Sequence, residues 1–214
     1  MCGRFVQKKP VSEMESFFDI KGPLPNFAPR YNVAPTQEVA VVVMGLLHRR
    51  IAMKKWGLIP AWSKEGKAEF ATFNARAESV REKPAYRQAF QQRRCIVPAD
   101  GFYEWTGPKG AKIPHLFERN DGAPLALAGL HETWRSKDGQ EQVHSFTIVV
   151  TAANRWMSFY HERMPVILEQ GDFDRWLTGT PDEAASLMRA AGDDVDFCTV
   201  TPAVTTSAGS CEFA

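Results

Sequence analysis

The chain has 214 residues, of which 44% are hydrophobic and 24% are charged, and its formal net charge at pH 7 is +1. This composition is typical of a globular domain and excludes a disordered chain or a collagen-like repeat. The longest apolar run, Val39 to Leu47, is half the length of a membrane-spanning helix, so we expect no membrane partner.

The two halves of the chain carry opposite net charge. Residues 1–100 contain 17 Lys and Arg against 9 Asp and Glu, whereas residues 101–214 contain 9 against 16. Such a split favours a dipolar molecule whose basic face meets a phosphate backbone. Halves of a sequence need not form separate faces of a fold, so charge alone leaves nucleic-acid binding open.

The cysteine pattern and the amino terminus indicate which cofactors and which cellular compartment to expect. Cysteines at positions 2, 95, 198 and 211 are too few and too scattered for a disulfide framework, and no Cys-x-x-Cys pair offers half of a zinc site. No glycine-rich phosphate loop follows a strand. We therefore expect no metal and no other cofactor. The amino terminus lacks the apolar segment of a signal peptide, which predicts a cytoplasmic protein.

The first predicted elements are a helix and two strands. Ser12 to Glu15 forms a capping box, which predicts a short helix with Phe17, Phe18 and Ile20 on its apolar side. A segment rich in Pro and Gly follows. Val39–Gly45 is rich in β-branched residues and His48–Trp56 partly alternates, which predicts two paired strands.

The middle of the chain combines helical and extended segments. Residues 76–92 favour helix on either side of Pro84. Cys95–Pro98 and Gly101–Trp105 then predict two strands with an Asp-Gly turn between them. Further strands are expected at 114–118, 124–130, 144–151 and 195–201.

The clearest late helix begins with Thr180 as its N-cap. Pro181 occupies the first helical position, Glu183 completes a capping box, and Gly192 marks the expected end. Strands separated by short turns, with helices in separate runs, favour an α+β fold. We expect one domain with a mostly antiparallel, barrel-like β core flanked by short helices.

Cys2 is the residue with the most unusual chemistry. Because cysteine is small, we expect Met1 to be removed, which leaves Cys2 with a free α-amine beside its thiol. An α-amine with a pKa of about 7.7 to 8.0 is roughly one-tenth neutral at pH 7 and can attack an aldehyde. The thiol can then add to the same carbon and close a five-membered thiazolidine. From the residue alone, a Cys at position 2 is more often an incidental small hydrophobic residue.

Seven short blocks lie between residues 1 and 165 and form a distinctive series. They are Met1–Phe5, Arg30–Pro35, Trp56–Trp62, Asn74–Glu78, Gly101–Trp105, Thr151–Ala153 and His161–Pro165. In order and spacing, the series closely resembles the SOS-response-associated peptidase family, the abasic-site-processing proteins that cross-link to DNA. The resemblance implies one domain of this family over residues 1–214, with a matched core at 2–165 and an atypical tail at about 204–214 that contains Cys211.

The resemblance implies a covalent reaction in which Cys2 forms a stable thiazolidine with the ring-opened aldehyde of an abasic site in single-stranded DNA. It assigns acid/base chemistry to Glu104, protonation of the deoxyribose oxygen to His161, and the holding of Cys2 to Asn74. The residue types permit these roles. Without the resemblance, a residue such as Glu104 is usually a solvated strand residue, His161 is an ordinary residue at a helix end, and Asn74 is equally a turn or cap residue.

Seven further side chains are expected to contact DNA or line its pocket. Guanidinium groups pair with phosphates, and an aromatic ring stacked on a base contributes roughly 1 to 3 kcal/mol. The expected phosphate ligands are Arg4, Arg30 and Arg76, the expected stacking residues are Trp62 and Phe90, and the expected pocket residues are Asn32 and Thr151. Trp56 and Trp105 lie within predicted strands and are expected in the core.

Three hypotheses about function therefore remain. The first is a monomeric covalent cross-linker of abasic sites, whose partner is single-stranded DNA, including DNA at replication forks. The second is a thiol peptidase that uses Cys2 and His161 as nucleophile and base, as the family's name suggests. The third is a non-covalent single-stranded DNA binding module with steep salt dependence.

Overall fold

A computed structural model describes residues 2–68 and 70–192, together with the backbone of Phe197–Val200. The strands are β1 (Arg4–Gln7), β2 (Arg30–Val33), β3 (Glu38–Met44), β4 (Arg49–Trp56), β5 (Asn74–Arg76), β6 (Arg94–Ala99), β7 (Gly101–Thr106), β8 (Ile113–Arg119), β9 (Leu125–Arg135), β10 (Gln142–Ala152), β11 (Arg163–Pro165) and β12 (Phe197–Val200). The helices are α1 (Val11–Phe18), α2 (Arg87–Gln92), α3 (Phe173–Leu177) and α4 (Pro181–Ser186), with 3₁₀ turns at Met157–Phe159 and Gln170–Asp172.

The strands form two sheets in a single α+β domain, as predicted. One sheet, which we call the outer sheet, has the order β12-β8-β7-β1-β2 and is antiparallel throughout. The other has the order β11-β10-β4-β3-β6-β9, and β9 pairs back onto β10. This pairing closes β3, β4, β6, β9 and β10 into a barrel. The described parallel pairs are β10 with β4 and β10 with β5.

Alternation along the barrel strands divides the hydrophobic core into two clusters. On β3, Val39, Val41 and Val43 face the barrel interior, whereas Ala40 and Val42 face the cluster packed under the helices. Both faces of the strand are buried, which explains the nearly continuous apolar run in its sequence. Aromatic side chains of the outer sheet, Phe5, Phe102 and Phe117, join the interior cluster, so the outer sheet packs on the barrel.

The predicted Asp-Gly turn is a corner between the two sheets. β6 pairs with β3 and β9 in the barrel, whereas β7 pairs with β1 and β8 in the outer sheet. Asp100 holds the corner because its Oδ2 accepts the backbone N–H groups of Lys8 and Lys9. A Cβ atom at Gly101 would lie 2.7 Å from the carbonyl oxygen of Phe117, so the close packing of β7 on β8 requires glycine.

The predicted helices exist, but their limits differ from those expected. The prediction of Ser12 as N-cap is wrong: α1 is preceded by Pro10, with no side-chain cap, and Ser12 lies inside the helix. Of residues 76–92, Arg76 ends β5, residues 77–86 form turns and a bend, and the segment Arg87–Gln92 is α-helical. None of the helices among the described residues is long and apolar enough to cross a membrane.

The capping box that begins α4 is confirmed by reciprocal hydrogen bonds. The N–H of Glu183 donates to Thr180 Oγ1 at 3.2 Å, and the N–H of Thr180 donates to Glu183 Oε2 at 2.7 Å. The helix ends at Ser186, well before Gly192. The expected strands at 114–118, 124–130, 144–151 and 195–201 correspond to β8, β9, β10 and β12. The tail at 204–214 lies outside the described residues.

Candidate active site

Strand pairing brings Cys2, Asn74 and Glu104 to one region between the outer sheet and the barrel. Cys2 lies just before β1, and Arg4 of β1 pairs with Tyr103 of β7. Asn74 begins β5 and pairs with Ile148 on β10. Its Nδ2 donates a hydrogen bond of 2.8 Å to the carbonyl oxygen of Cys2.

Cys2 is fully buried among apolar side chains of the barrel interior. Burial raises the pKa of its thiol well above the ordinary value, and the negative charge of Glu104 acts in the same direction. The thiol therefore stays protonated at neutral pH. Its Sγ is 4.0 Å from the carbonyl oxygen of Arg4, a weak contact.

Glu104 is a buried carboxyl group, with 3% of its surface exposed. The alternative of a solvated strand residue is wrong, because Glu104 shares the face of β7 that carries Phe102 into the barrel cluster. Tyr103 and Trp105 face the opposite side of the strand. Burial raises the pKa of Glu104, and the electrostatic interaction with His161 opposes that rise. A carboxyl group in such a setting can hold or release a proton closer to neutral pH than an exposed one.

His161 follows the 3₁₀ turn Met157–Phe159, and its orientation is fixed by the backbone. Its Nδ1 accepts the N–H of Arg163 at 2.9 Å, so the proton of the neutral ring lies on Nε2. Ring packing brings this segment toward Glu104. Tyr160 packs edge-on against His115 at 4.9 Å between ring centroids, and His115 pairs with Glu104 across β7 and β8.

The backbone around Asn74 is held by two buried rings. The hydroxyl of Tyr86 donates a hydrogen bond of 3.3 Å to the carbonyl oxygen of Asn74. The indole N–H of Trp56 donates a hydrogen bond of 2.8 Å to the carbonyl oxygen of Phe73. Among the described residues, none bonds to the buried Oδ1 of Asn74. The amide therefore directs its donor to Cys2 and keeps an acceptor available.

The expected DNA-contact residues have different settings. Arg4 Nη1 donates to Asn32 Oδ1 at 3.0 Å, so Asn32 orients the Arg4 side chain. Arg30 Nη1 donates to the carbonyl oxygen of Glu38 at 2.7 Å, near the surface. Arg76 is exposed, and Trp62 is 57% exposed. Thr151 is buried and pairs with Met164 on β11.

The prediction that Phe90 stacks on a base is wrong. It is 1% exposed, and its ring packs edge-on against Trp176 at 6.2 Å between centroids. Helix α2 turns this face toward the barrel, so no face of the ring is open to a base. Trp56 is fully buried, as expected for the core, whereas Trp105 is partly exposed.

Sequence reasoning missed three side chains around the site. His115 and Tyr160 connect Glu104 to the segment of His161, and Phe70 is 53% exposed beside Trp62 in a small pocket. The only signal in the sequence was for Phe70, an aromatic residue in an otherwise polar loop. The packing of His115 on Tyr160 depends on tertiary structure and left no local pattern.

The family model described as SOS response associated peptidase (SRAP) matches residues 1–207. The chain belongs to the SRAP family. Abasic site processing protein YoqW of Bacillus subtilis (strain 168) is 37% identical over 212 residues, which cover 95% of this chain and 94% of the relative. Abasic site processing protein YoaM of the same organism is 38% identical over 194 residues, which cover 88% of this chain and 85% of the relative.

The SRAP fold is also found in a solved structure. A crystal structure of a protein from Bordetella bronchiseptica has a TM-score of 0.82 and 27% sequence identity, and the alignment covers 95% of this chain and all of that one. Within the described residues, no group of three or more His, Cys, Asp or Glu side chains is arranged to hold a metal ion. The SRAP match includes every candidate site residue named above.

Proposed function

We propose that this SRAP protein processes abasic sites in single-stranded DNA by forming a covalent thiazolidine between Cys2 and the ring-opened deoxyribose. The observation that carries the proposal is the 2.8 Å hydrogen bond from Asn74 to the carbonyl oxygen of Cys2, with the buried Glu104 on β7, the strand that pairs with β1. The names of YoqW and YoaM as abasic site processing proteins support the substrate.

The first step creates the electrophile and uses the α-amine. Removal of Met1 gives Cys2 a free amine, which is partly neutral at pH 7. Ring opening breaks the bond between C1′ and the ring oxygen and moves the proton of the C1′ hydroxyl, through water, to that oxygen, which accepts a hydrogen bond from the Nε2–H of His161 as the aldehyde forms. The amine attacks the aldehyde carbon, and loss of one water gives an imine.

The second step uses the thiol. Because burial raises the thiol pKa, sulfur does not compete with the amine as a free thiolate. Glu104 accepts the thiol proton as sulfur adds to the imine carbon, and it returns that proton to the imine nitrogen. One C–S bond forms, the C=N double bond becomes a single bond, and the product is a thiazolidine. Proximity of the two groups makes ring closure unimolecular.

The DNA strand lies along the exposed groups around this site. Arg4, held by Asn32, binds a phosphate beside the lesion, and Arg30 and Arg76 bind further phosphates. Trp62 offers an exposed ring for stacking on a base. Such contacts suit a single strand, including one exposed at a replication fork, and the protein acts as a monomer.

Denaturing electrophoresis tests the reaction. Protein shown by mass spectrometry to lack Met1 is incubated with single-stranded DNA that carries one abasic site, and with intact DNA of the same sequence. We expect a shifted band that requires the lesion and survives denaturant. Cys2→Ala abolishes the band, whereas Cys95→Ala, which removes the buried thiol in the barrel, retains it.

Cys2→Ser separates the two covalent steps. The serine variant keeps the amine, so it forms an imine that is trapped by borohydride, but it forms no thiazolidine. Absence of any cross-link from correctly processed wild-type protein would overturn the proposal. Full cross-linking by protein that retains Met1 would overturn the role of the α-amine.

A further inference from the structure

One end of the barrel carries inward-facing basic side chains. On β4, Ala52 and Trp56 belong to the interior cluster, so the alternation of the strand also turns Arg50 and Lys54 inward. Lys54 is 6% exposed, which confirms that it is enclosed. Arg50 is exposed and lies nearer the rim.

Two histidines face the same end from the neighbouring strands. On β9, Leu127 belongs to the interior cluster, and alternation places His131 on that face. On β10, Phe146 belongs to the interior cluster, and alternation places His144 on the same face of the strand. Phe146 pairs with Trp56 on β4, so Lys54 and His144, each two residues earlier in this parallel pair, lie side by side. We call Arg50, Lys54, His131 and His144 the basic mouth.

The basic mouth is separate from the region of Cys2. Asn74, which bonds to Cys2, pairs with Ile148 on β10, four residues beyond His144. At about 3.3 Å per residue, these positions are about 13 Å apart along the strand. A ligand at the basic mouth therefore does not occupy the site proposed for the abasic sugar.

The charges at the basic mouth are not balanced by protein groups. Neither Lys54 nor Arg50 belongs to an ion pair found among the described residues. The electrostatic influences that favour the charged form of Lys54 come from Cys95 and Glu132, and Glu132 faces the outside of β9. Its Oε2 accepts from Arg93 at 2.7 Å and its Oε1 accepts the backbone N–H of Thr133 at 2.9 Å.

His131 adds an unused polar atom. Its Nδ1 is buried and has no hydrogen-bond partner among the described residues. Burial, assisted by the charge of Lys54, lowers the pKa of His131 to about 3, so the ring is neutral at pH 7 and carries one N–H donor. Burial also lowers the pKa of Lys54. An enclosed ammonium and an unbonded ring nitrogen both cost stability unless a ligand compensates them.

We propose that the basic mouth binds a phosphate group, either as inorganic phosphate or as a terminal phosphate monoester. A tetrahedral oxyanion offers several acceptor oxygens to one ammonium, one guanidinium and one imidazole N–H. The enclosure of Lys54 favours a small anion or a terminal phosphate over an internal phosphodiester, because the DNA backbone continues on both sides of an internal phosphate. This site is independent of the reaction proposed for Cys2.

Calorimetric titration with inorganic phosphate tests the site. The matched pair of variants is Lys54→Met and Lys55→Met, because Lys55 is the next residue and its exposed side chain faces outward. We expect saturable binding by the wild type, weakening by about tenfold or more in Lys54→Met, and a change of less than about twofold in Lys55→Met. Cys2→Ala is expected to bind phosphate as the wild type does.

Thermal unfolding without phosphate gives a second readout. Removing an unbalanced enclosed charge should raise the Tm of Lys54→Met above that of wild type, which also shows that the variant is folded. Phosphate should raise the Tm of wild type and of Lys55→Met, but not that of Lys54→Met. Absence of phosphate binding by the wild type, or equal weakening in both variants, overturns the proposal.

Competition distinguishes the two sources of phosphate. Thymidine 5′-monophosphate and thymidine are each titrated against protein that is saturated with inorganic phosphate. Displacement by the monophosphate alone supports the site and assigns it to terminal monoesters. Displacement by neither supports the site and assigns it to the free anion. Displacement by thymidine itself overturns a phosphate site.

Discussion

Replacing Asn74 by Ala tests how Cys2 is held. The variant removes the 2.8 Å hydrogen bond to the carbonyl oxygen of Cys2 and leaves that partly buried oxygen without its donor. Such a loss costs about 1 to 3 kcal/mol. If this free-energy cost raises the activation barrier because Cys2 is less well positioned, the cross-linking rate should fall by about 5- to 150-fold, since 1.36 kcal/mol corresponds to a tenfold change.

The assay is the single-turnover rate of cross-link formation at saturating DNA, with affinity for intact single-stranded DNA measured by fluorescence anisotropy. We expect the rate to fall and the affinity for intact DNA to stay within about twofold of the wild-type value, because Asn74 positions Cys2 and does not bind DNA. Tyr86→Phe is the control: it removes the 3.3 Å bond to the backbone of Asn74 and keeps the amide.

The result that refutes this reasoning is specific. A folded Asn74→Ala variant that cross-links at the wild-type rate would show that the hydrogen bond does not limit the reaction. Equal slowing by Asn74→Ala and Tyr86→Phe would show that general loosening of β5, rather than loss of the side-chain donor, causes the effect.

Three other changes give distinct outcomes. Glu104→Gln should slow cross-linking and its reversal while sparing DNA affinity, and wild-type rates in both directions would remove Glu104 from the mechanism. Because burial raises the pKa of Glu104, the folded state holds the proton of this carboxyl group more tightly than the unfolded chain does. The stability of the wild type therefore falls as the pH rises above the ordinary pKa of a glutamate. Calorimetry should therefore show Glu104→Gln gaining Tm relative to wild type as the pH is raised above the ordinary pKa of a glutamate, about 4.3. Trp62→Ala should weaken single-stranded DNA binding by about 1 to 3 kcal/mol with little change in Tm. Phe90→Ala should instead lower the free energy of unfolding by about 3 to 5 kcal/mol, measured by denaturant titration.

The strands were predictable because their signals are local. The β-branched run of β3 and the alternation in β4 indicate extended structure without knowledge of their partners. The capping box of α4 is equally local, and its two hydrogen bonds form as expected. Ser12 belongs to a similar pattern, but Pro10 already fixes the extended backbone that precedes α1, so the helix begins earlier.

The route of the chain between sheets was not predictable in the same way. Asp100-Gly101 has the composition of a hairpin turn, yet the strands on either side pair with different partners. Register between distant strands is decided by packing over the whole barrel, which no short window of sequence contains. The burial of Phe90 and the packing of His115 on Tyr160 depend on the same long-range pairing.

The candidate site was predictable only in part, for a chemical reason. The 1,2-aminothiol of a processed Cys2 points to aldehyde chemistry by its functional groups alone, whereas Asn74, Glu104 and His161 are common residue types whose roles came from the resemblance. The settings of Glu104 and Asn74 distinguish them from their alternatives, whereas His161 lies at the end of the 3₁₀ turn Met157–Phe159, as its alternative had it. Glu104 is enclosed rather than solvated, and the amide of Asn74 bonds to Cys2 rather than capping a turn.

The burial of Cys2 bears on the choice between cross-linking and peptidase chemistry. A thiol peptidase needs a thiolate at neutral pH, which a nearby cation and partial exposure normally provide. Here burial and the charge of Glu104 both raise the thiol pKa, so a sulfur-first attack starts from a scarce species. An attack by the α-amine starts from a nucleophile of which about one-tenth is neutral at pH 7. The sulfur reacts only afterwards, when the imine carbon is already held beside it. The surroundings of Cys2 thus oppose the chemistry of a general thiol peptidase and suit ring closure on an aldehyde.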